Sequence, residues 1–260
     1  MELNKIIRRS GITTSAIYSK FTADLTDALE DFTGITKEAV KESKDADGTL
    51  KENAHTRFYL GSSKKNYIKV VNNGNSGMRV QFTCAGNTID IDGGGNTSPY
   101  HAYNVAKTAY GVMFTTMSHF SNATNLASDS TFQCYVTTFK DENNKAVNGF
   151  VFTLRNSNIT DGVDYRDWIY FASESHTVLE MQRGLYQMIG ISANQTVMYN
   201  AASYSHQLVA EHLFKKIMSE SERFGKIKLD NRTFISGSHF CLECKIGDCK
   251  SQCDNILIKK

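Results

Sequence analysis

The chain has 260 residues, of which 40% are aliphatic, aromatic or Cys and 22% are charged, with a net charge of +2. These values lie near the globular average, which excludes wholesale disorder and a generally basic nucleic-acid coat. No apolar run approaches the roughly 18–20 residues of a membrane helix, and Met1 to Ser10 lacks the apolar core of a secretory signal, so neither a membrane nor an export route is expected.

Residues 13–40 read as helix. Ile17, Phe21, Leu25, Ala28, Leu29 and Phe32 repeat with a 3.6-residue period, and Asp24, Asp27, Glu30 and Asp31 fall outside that stripe. Gly34 breaks or kinks the helix, and Ile35, Ala39 and Val40 suit a second short one. Charge is uneven here: residues 1–20 carry a local net of +3, and Asp24 to Glu52 a net of −5. A bipolar segment fits self-association or docking on a partner; its plain alternative is a solvated helix face.

Residues 57–155 read as β. Arg57 to Leu60 and Tyr67 to Val71 flank a Gly-Ser-Ser-Lys-Lys-Asn turn, Met78 to Cys84 alternates, and Thr88 to Asp92 runs into three glycines. Phe132 to Phe139 and Val147 to Leu154 form two strands around a polar hairpin loop. Residues 101–118 fit strand or helix equally. The chain has a single Pro, against about 13 at the usual ~5%, so its turns rest on Gly, Asn, Asp and Ser.

Residues 168–224 read as helical again. Val178, Leu179, Met181, Leu185, Met188 and Ile189 suit one helix. Leu208, Val209, His212, Leu213, Ile217 and Met218 suit another, with Ser203 or Ser205 as cap and Gly225 just past its end.

Four of the six Cys lie within thirteen residues near the C-terminus: Cys241, Cys244, Cys249 and Cys253. A C-x2-C pair turns two thiolates toward one point, and a second pair closes a tetrahedron suited to structural Zn2+. Two disulfides, four free thiols or an iron–sulfur cluster are the alternatives. The spacing resembles a zinc knuckle, with Cys249 in the His slot and a last gap one residue shorter.

Other patterns carry less. Asp161, Asp164 and Asp167 lack EF-hand spacing and read as a surface loop. Asp90 and Asp92 read as a strand end. Cys84 and Cys134 sit in β patterns and are expected to be buried. P-loop, G-x-S-x-G and H-E-x-x-H motifs are absent, so the expectation is that the chain is not an enzyme.

Two resemblances bear on function. Ile6 to Phe21, with a Gly-Ile-Thr turn followed by Ile17-Tyr18 and Phe21, resembles the helix-turn-helix of tetracycline-repressor-type regulators. Carried over, it implies that Thr13, Thr14, Ser15, Tyr18 and Lys20 face DNA, and it makes a DNA-binding regulator using residues 4–21 the alternative reading. The stretches Arg57 to Ser63 and Val80 to Phe82, with the hairpin Tyr135 to Leu154, resemble the β domains of bacteriophage tail and fibre proteins. That resemblance implies a virion structural protein of the tail, baseplate, collar or capsid-associated kind, made in the host cytoplasm.

The expectation is therefore an α+β chain. It comprises a helical arm (1–55), an antiparallel β-sandwich-like domain (56–160), a helical or mixed region (161–235) and a zinc-stapled tail (236–260). Its partners would be copies of itself and other virion proteins, met through Ile17, Phe21, Leu25, Leu29 and Phe32, with nucleic acid and membrane not expected.

Overall fold

The computed structural model describes residues 6–30, 32, 34–40, 46, 52–84, 87–90, 100–122, 125–126, 131–140, 143–154, 168–173, 180–183, 191–192, 195–196, 213–217, 225–229, 232–236 and 254–259. The strands are β1 (Ile6–Thr13), β2 (Ile35–Val40), β3 (His55–Leu60), β4 (Tyr67–Asn72), β5 (Met78–Cys84), β6 (Asn87–Asp90), β7 (Tyr100–Thr108), β8 (Gly111–Asn122), β9 (Asn125–Leu126), β10 (Thr131–Lys140), β11 (Ala146–Leu154), β12 (Trp168–Ser173), β13 (Glu180–Arg183), β14 (Ile191–Ser192), β15 (Gln195–Thr196), β16 (Leu213–Ile217), β17 (Gly225–Leu229), β18 (Arg232–Ser236) and β19 (Asp254–Lys259). One α-helix, α1 (Thr14–Leu29), occurs among the described residues.

All described strand pairs are antiparallel. An eight-stranded sheet runs β1-β7-β8-β10-β11-β12-β13, with β9 pairing β8 off that path. A five-stranded sheet runs β2-β3-β4-β5-β6 in sequence order. A four-stranded sheet, β16-β19-β18-β17, and the β14–β15 pair use the later residues.

The α+β expectation is corrected: the described chain is mostly antiparallel sheet with a single helix. Ile35–Val40 is a strand on β3, not a second helix; six residues are too few to separate a period of 2 from one of 3.6. Met181 belongs to β13, paired with Tyr170. Leu213 and Ile217 belong to β16, paired with Ile258 and Asp254. A strand partner some forty residues away leaves no trace in local periodicity, so the local pattern alone suggests a helix there. The N-terminal segment is not helix alone: α1 is present, but β1 before it pairs with β7, and β2 after it pairs with β3.

The strands expected over 57–155 are present, and the hairpin of β10 and β11 pairs Phe132 with Leu154 through Lys140 with Ala146. Residues 101–118 form the hairpin of β7 and β8. Gly111 opens β8 because a Cβ there would lie 2.2 Å from the carbonyl oxygen of Val136 on β10.

α1 packs between the two large sheets, against β1, β7 and β8 on one side and β4, β5 and the short 3-10 turn Gly74–Ser76 on the other. Its buried residues are Ile17, Tyr18, Phe21, Thr22, Asp24, Leu25, Ala28 and Leu29. At 100° per residue they cover an arc of roughly 160°, wider than the usual single stripe. The ring of Phe21 meets Tyr103 and Phe114 edge-on, at 5.1 and 5.6 Å between centroids. Tyr18 shares a hydroxyl hydrogen bond with Thr56 of β3 at 3.0 Å. Phe82 of β5 and Phe150 of β11 touch at 4.7 Å, so the two sheets also meet directly. One apolar cluster joins helix and sheets.

Candidate functional site: the outer face of the five-stranded sheet

The expected interface residues lie inside the chain. Ile17, Phe21 and Leu25 are 0% exposed and Leu29 is 3% exposed; Phe32 is partly buried against the same cluster. In this arrangement they face the chain's own sheets, not a neighbouring copy. The segment that resembles a helix-turn-helix forms β1 followed directly by α1, with Thr13 in an extended conformation at the helix start. Tyr18, expected to face DNA, is buried. Cys241, Cys244, Cys249 and Cys253 lie outside the described residues, as do Asp92, Asp161, Asp164 and Asp167. Cys134 is fully buried, and burial pushes its thiol pKa well up. Among the described residues no group of three or more His, Cys, Asp or Glu is placed to hold a metal, and no helix is long and apolar enough to cross a membrane.

The two poles of the N-terminal charge pattern meet each other. β1 carries an extra residue between Arg9 and Ile12, with Gly11 at φ 62°. Such a bulge turns the strand so that Arg9, opposite Tyr103, and Ile12, opposite His101, both face the helix. Arg9 donates from Nε and Nη2 to the two oxygens of Asp24, the second at 3.0 Å, and the Tyr103 hydroxyl donates to Asp24 Oδ2 at 2.6 Å. The Asp24 side chain is 10% exposed. A buried carboxylate needs such donors. Arg9 is held still more firmly protonated by its bond to Asp24. Burial first, and then Asp24, pushes the Tyr103 phenol above its ordinary range. This cluster fastens β1, α1 and β7 together.

The face of the smaller sheet turned away from α1 is different. Register places three rows across it: Thr36–Tyr59–Tyr67–Thr83–Thr88, Glu38–Arg57–Lys69–Gln81–Asp90, and Val40–His55–Val71–Arg79. Period-2 alternation explains the segregation, since Thr56, Phe58, Leu60, Ile68, Val70, Val80 and Phe82 point the other way and are buried. Tyr59, Val71 and Thr83 form a buried floor at 3–5% exposure. Arg57, Tyr67, Lys69, Arg79 and Glu38 stand partly exposed around it, with Lys64 and Lys65 exposed in the β3–β4 turn.

The groups on this face hold one another in place. Tyr59 and Tyr67 meet edge-on at 5.3 Å. Arg57 lies over the Tyr67 ring at 5.2 Å and donates from Nη1 to the Tyr59 hydroxyl at 3.3 Å. Lys64, at φ 54°, reaches back over the Tyr59 ring at 5.1 Å and donates to Glu38 at 3.1 Å. Lys64, and then the Tyr59 hydroxyl, holds the Glu38 carboxyl below its ordinary range; the bond to Tyr59 raises Arg57. Arg57 and Lys69 are direct cross-strand partners, a like-charge pairing that destabilises a sheet. The Arg57 Nε is buried and donates to no acceptor among the described residues.

Sequence reasoning misses these residues because it uses the alternation only to find the apolar side. The signal is present in the complementary positions, Arg57, Tyr59, Tyr67, Lys69, Arg79 and Gln81, which share a face once three strands pair in sequence order. No protein-family model, curated protein or solved structure matches this chain.

Proposed function

We propose that the chain is a virion structural protein of the tail, baseplate, collar or capsid-associated kind, made in the host cytoplasm, that works through protein–protein contacts and not by catalysis. The observation that carries the reading is the outer face of the five-stranded sheet. Tyrosine and arginine over a buried floor are what contact surfaces enrich, and here they sit on a body whose helix and two sheets share one core. The β segments that resemble tail and fibre domains, Arg57 to Ser63 and Val80 to Phe82, supply strands of this same sheet. In the same proposal Cys241, Cys244, Cys249 and Cys253 hold a structural zinc ion, a reading that rests on their spacing alone.

A native mass spectrum of the purified protein, taken before and after a strong chelator, tests both parts. The expected result is a multimer with one zinc per chain. A monomer at every concentration would overturn the assembly reading, and a metal-free chain would overturn the zinc reading.

A further inference from the structure

We infer that Asn73, in the turn between β4 and β5, is a site of spontaneous deamidation, and that the fold directs this modification to Asn73 while protecting Asn148. The chain has two Asn-Gly pairs, Asn73-Gly74 and Asn148-Gly149. In such a pair the backbone nitrogen of the glycine attacks the asparagine Cγ, because no side chain shields that nitrogen. The carboxamide C–N bond breaks, the glycine amide proton leaves with the departing group as ammonia, and a cyclic imide remains. Water then opens either carbonyl of the imide and leaves aspartate or isoaspartate. The only co-reactant is water.

The two pairs stand in opposite surroundings. Asn73 and Gly74 are partly exposed, and Asn75 after them is exposed. Two backbone hydrogen bonds close their turn, from Asn73 N to Gly77 O at 2.9 Å and from Gly77 N to Gly74 O at 3.0 Å. Asn73 sits at φ −99° and ψ 27°, so the turn must open before the ring closes, and a surface turn opens at little cost. The turn also needs its glycine: Gly74 has φ 56°, and a Cβ there would lie 3.3 Å from the Glu52 side chain. The labile pair is therefore built into the connection. Asn148 and Gly149 lie within β11. They pair with Thr138 and Thr137 of β10, and Gly149 pairs with Ser173 of β12 on the other side. Gly149 is buried, and the Asn148 side chain accepts a hydrogen bond from Thr138 Oγ1 at 3.2 Å and packs against Gly34. Ring closure there requires a strand held on both sides to leave its ladder. Isoaspartate routes the backbone through Cβ and so lengthens the connection from Asn73 to Gly77. That connection closes the Asn72–Met78 pair, Met78 is in the core at 4% exposure, and the turn packs on α1. Modification at Asn73 therefore loosens the packing of the helix on the smaller sheet.

Prolonged warm incubation of the folded full chain, followed by peptide mapping for isoaspartate, tests the site. Asn73 is expected to convert at least roughly tenfold faster than Asn148, because the strand ladder must open first at Asn148. In urea, where neither pair is protected, the two are expected to convert at similar rates. Aged wild type is expected to unfold at a lower urea concentration than fresh protein. Asn73→Gln, whose longer side chain closes a ring far more slowly, is expected to keep its midpoint over the same incubation. Folded Asn73 that stays intact while the unfolded chain converts would overturn the proposal, as would folded Asn148 converting as fast as Asn73. Conversion at the neighbouring Asn75 in place of Asn73, told apart by fragment masses, would overturn it too. An equal preference for Asn73 in urea would assign the selectivity to local sequence and overturn the role given to the fold. A midpoint that holds while Asn73 converts would overturn the loss of packing.

Discussion

Arg9 and Asp24, fifteen residues apart in the chain, form a two-pronged ion pair between the edge strand β1 and the helix that follows it. The pair joins the basic start of the sequence to its acidic stretch inside one molecule. Tyr103 completes it from β7, so a charge pattern that reads as an outward-facing dipole is partly used for internal fastening.

Removing the acceptor should cost more than removing the partly exposed donor. Asp24→Ala leaves the Tyr103 hydroxyl and the Arg9 guanidinium without their acceptor and is expected to lower stability by about 2–4 kcal/mol. Arg9→Ala keeps the Tyr103 bond to Asp24, and the Arg9 side chain is 44% exposed, so about 1–2 kcal/mol is expected. Urea unfolding of both variants checks the order; equal losses would refute it.

Tyr103 makes the fold sensitive to alkali. Its folded pKa is raised, by burial first and then by Asp24. Below the ordinary tyrosine value of about 10 the phenol is protonated in both states and stability is unaffected. Above it the unfolded chain releases the proton while folded Tyr103 keeps it, so stability falls as pH rises. Comparing the pH dependence of unfolding in wild type and Tyr103→Phe isolates the effect: the variant should lose less stability per pH unit on the alkaline side.

Phe21 separates a core role from a subunit contact. It packs on Tyr103 and Phe114 at 0% exposure, so Phe21→Ala is expected to cost about 3–5 kcal/mol of the chain's own stability. Thermal unfolding at a dilution where only monomer is present makes the test. Unchanged monomer stability would return the helix face to an intermolecular role.

Gly111 tests the close approach of β8 to β10. A methyl group there meets the Val136 carbonyl oxygen, and neither strand can shift without disturbing the register of Thr137 on Gly111. Gly111→Ala is expected to cost at least about 2 kcal/mol, read as a lowered urea midpoint.

The sequence by itself determined the strands over 57–90 and 132–154, where alternation runs for several residues and turn residues end it, and the helical stripe from Ile17 to Leu29; residues 101–118 stayed open between strand and helix. Both are local repeats, and each residue's neighbours along the chain suffice to reveal them. Tertiary structure decided the rest. The same apolar stripe suits a subunit interface or a core, and only the presence of sheets on two sides of α1 sends it inward. Ile6–Thr13 and Leu213–Ile217 are strands because partners at residues 100–106 and 254–258 pair with them, across a sequence distance that no local period can report. The outer face of the small sheet became visible for the same reason. Arg57, Lys69 and Arg79 are scattered in sequence, and only strand register brings them together on one surface.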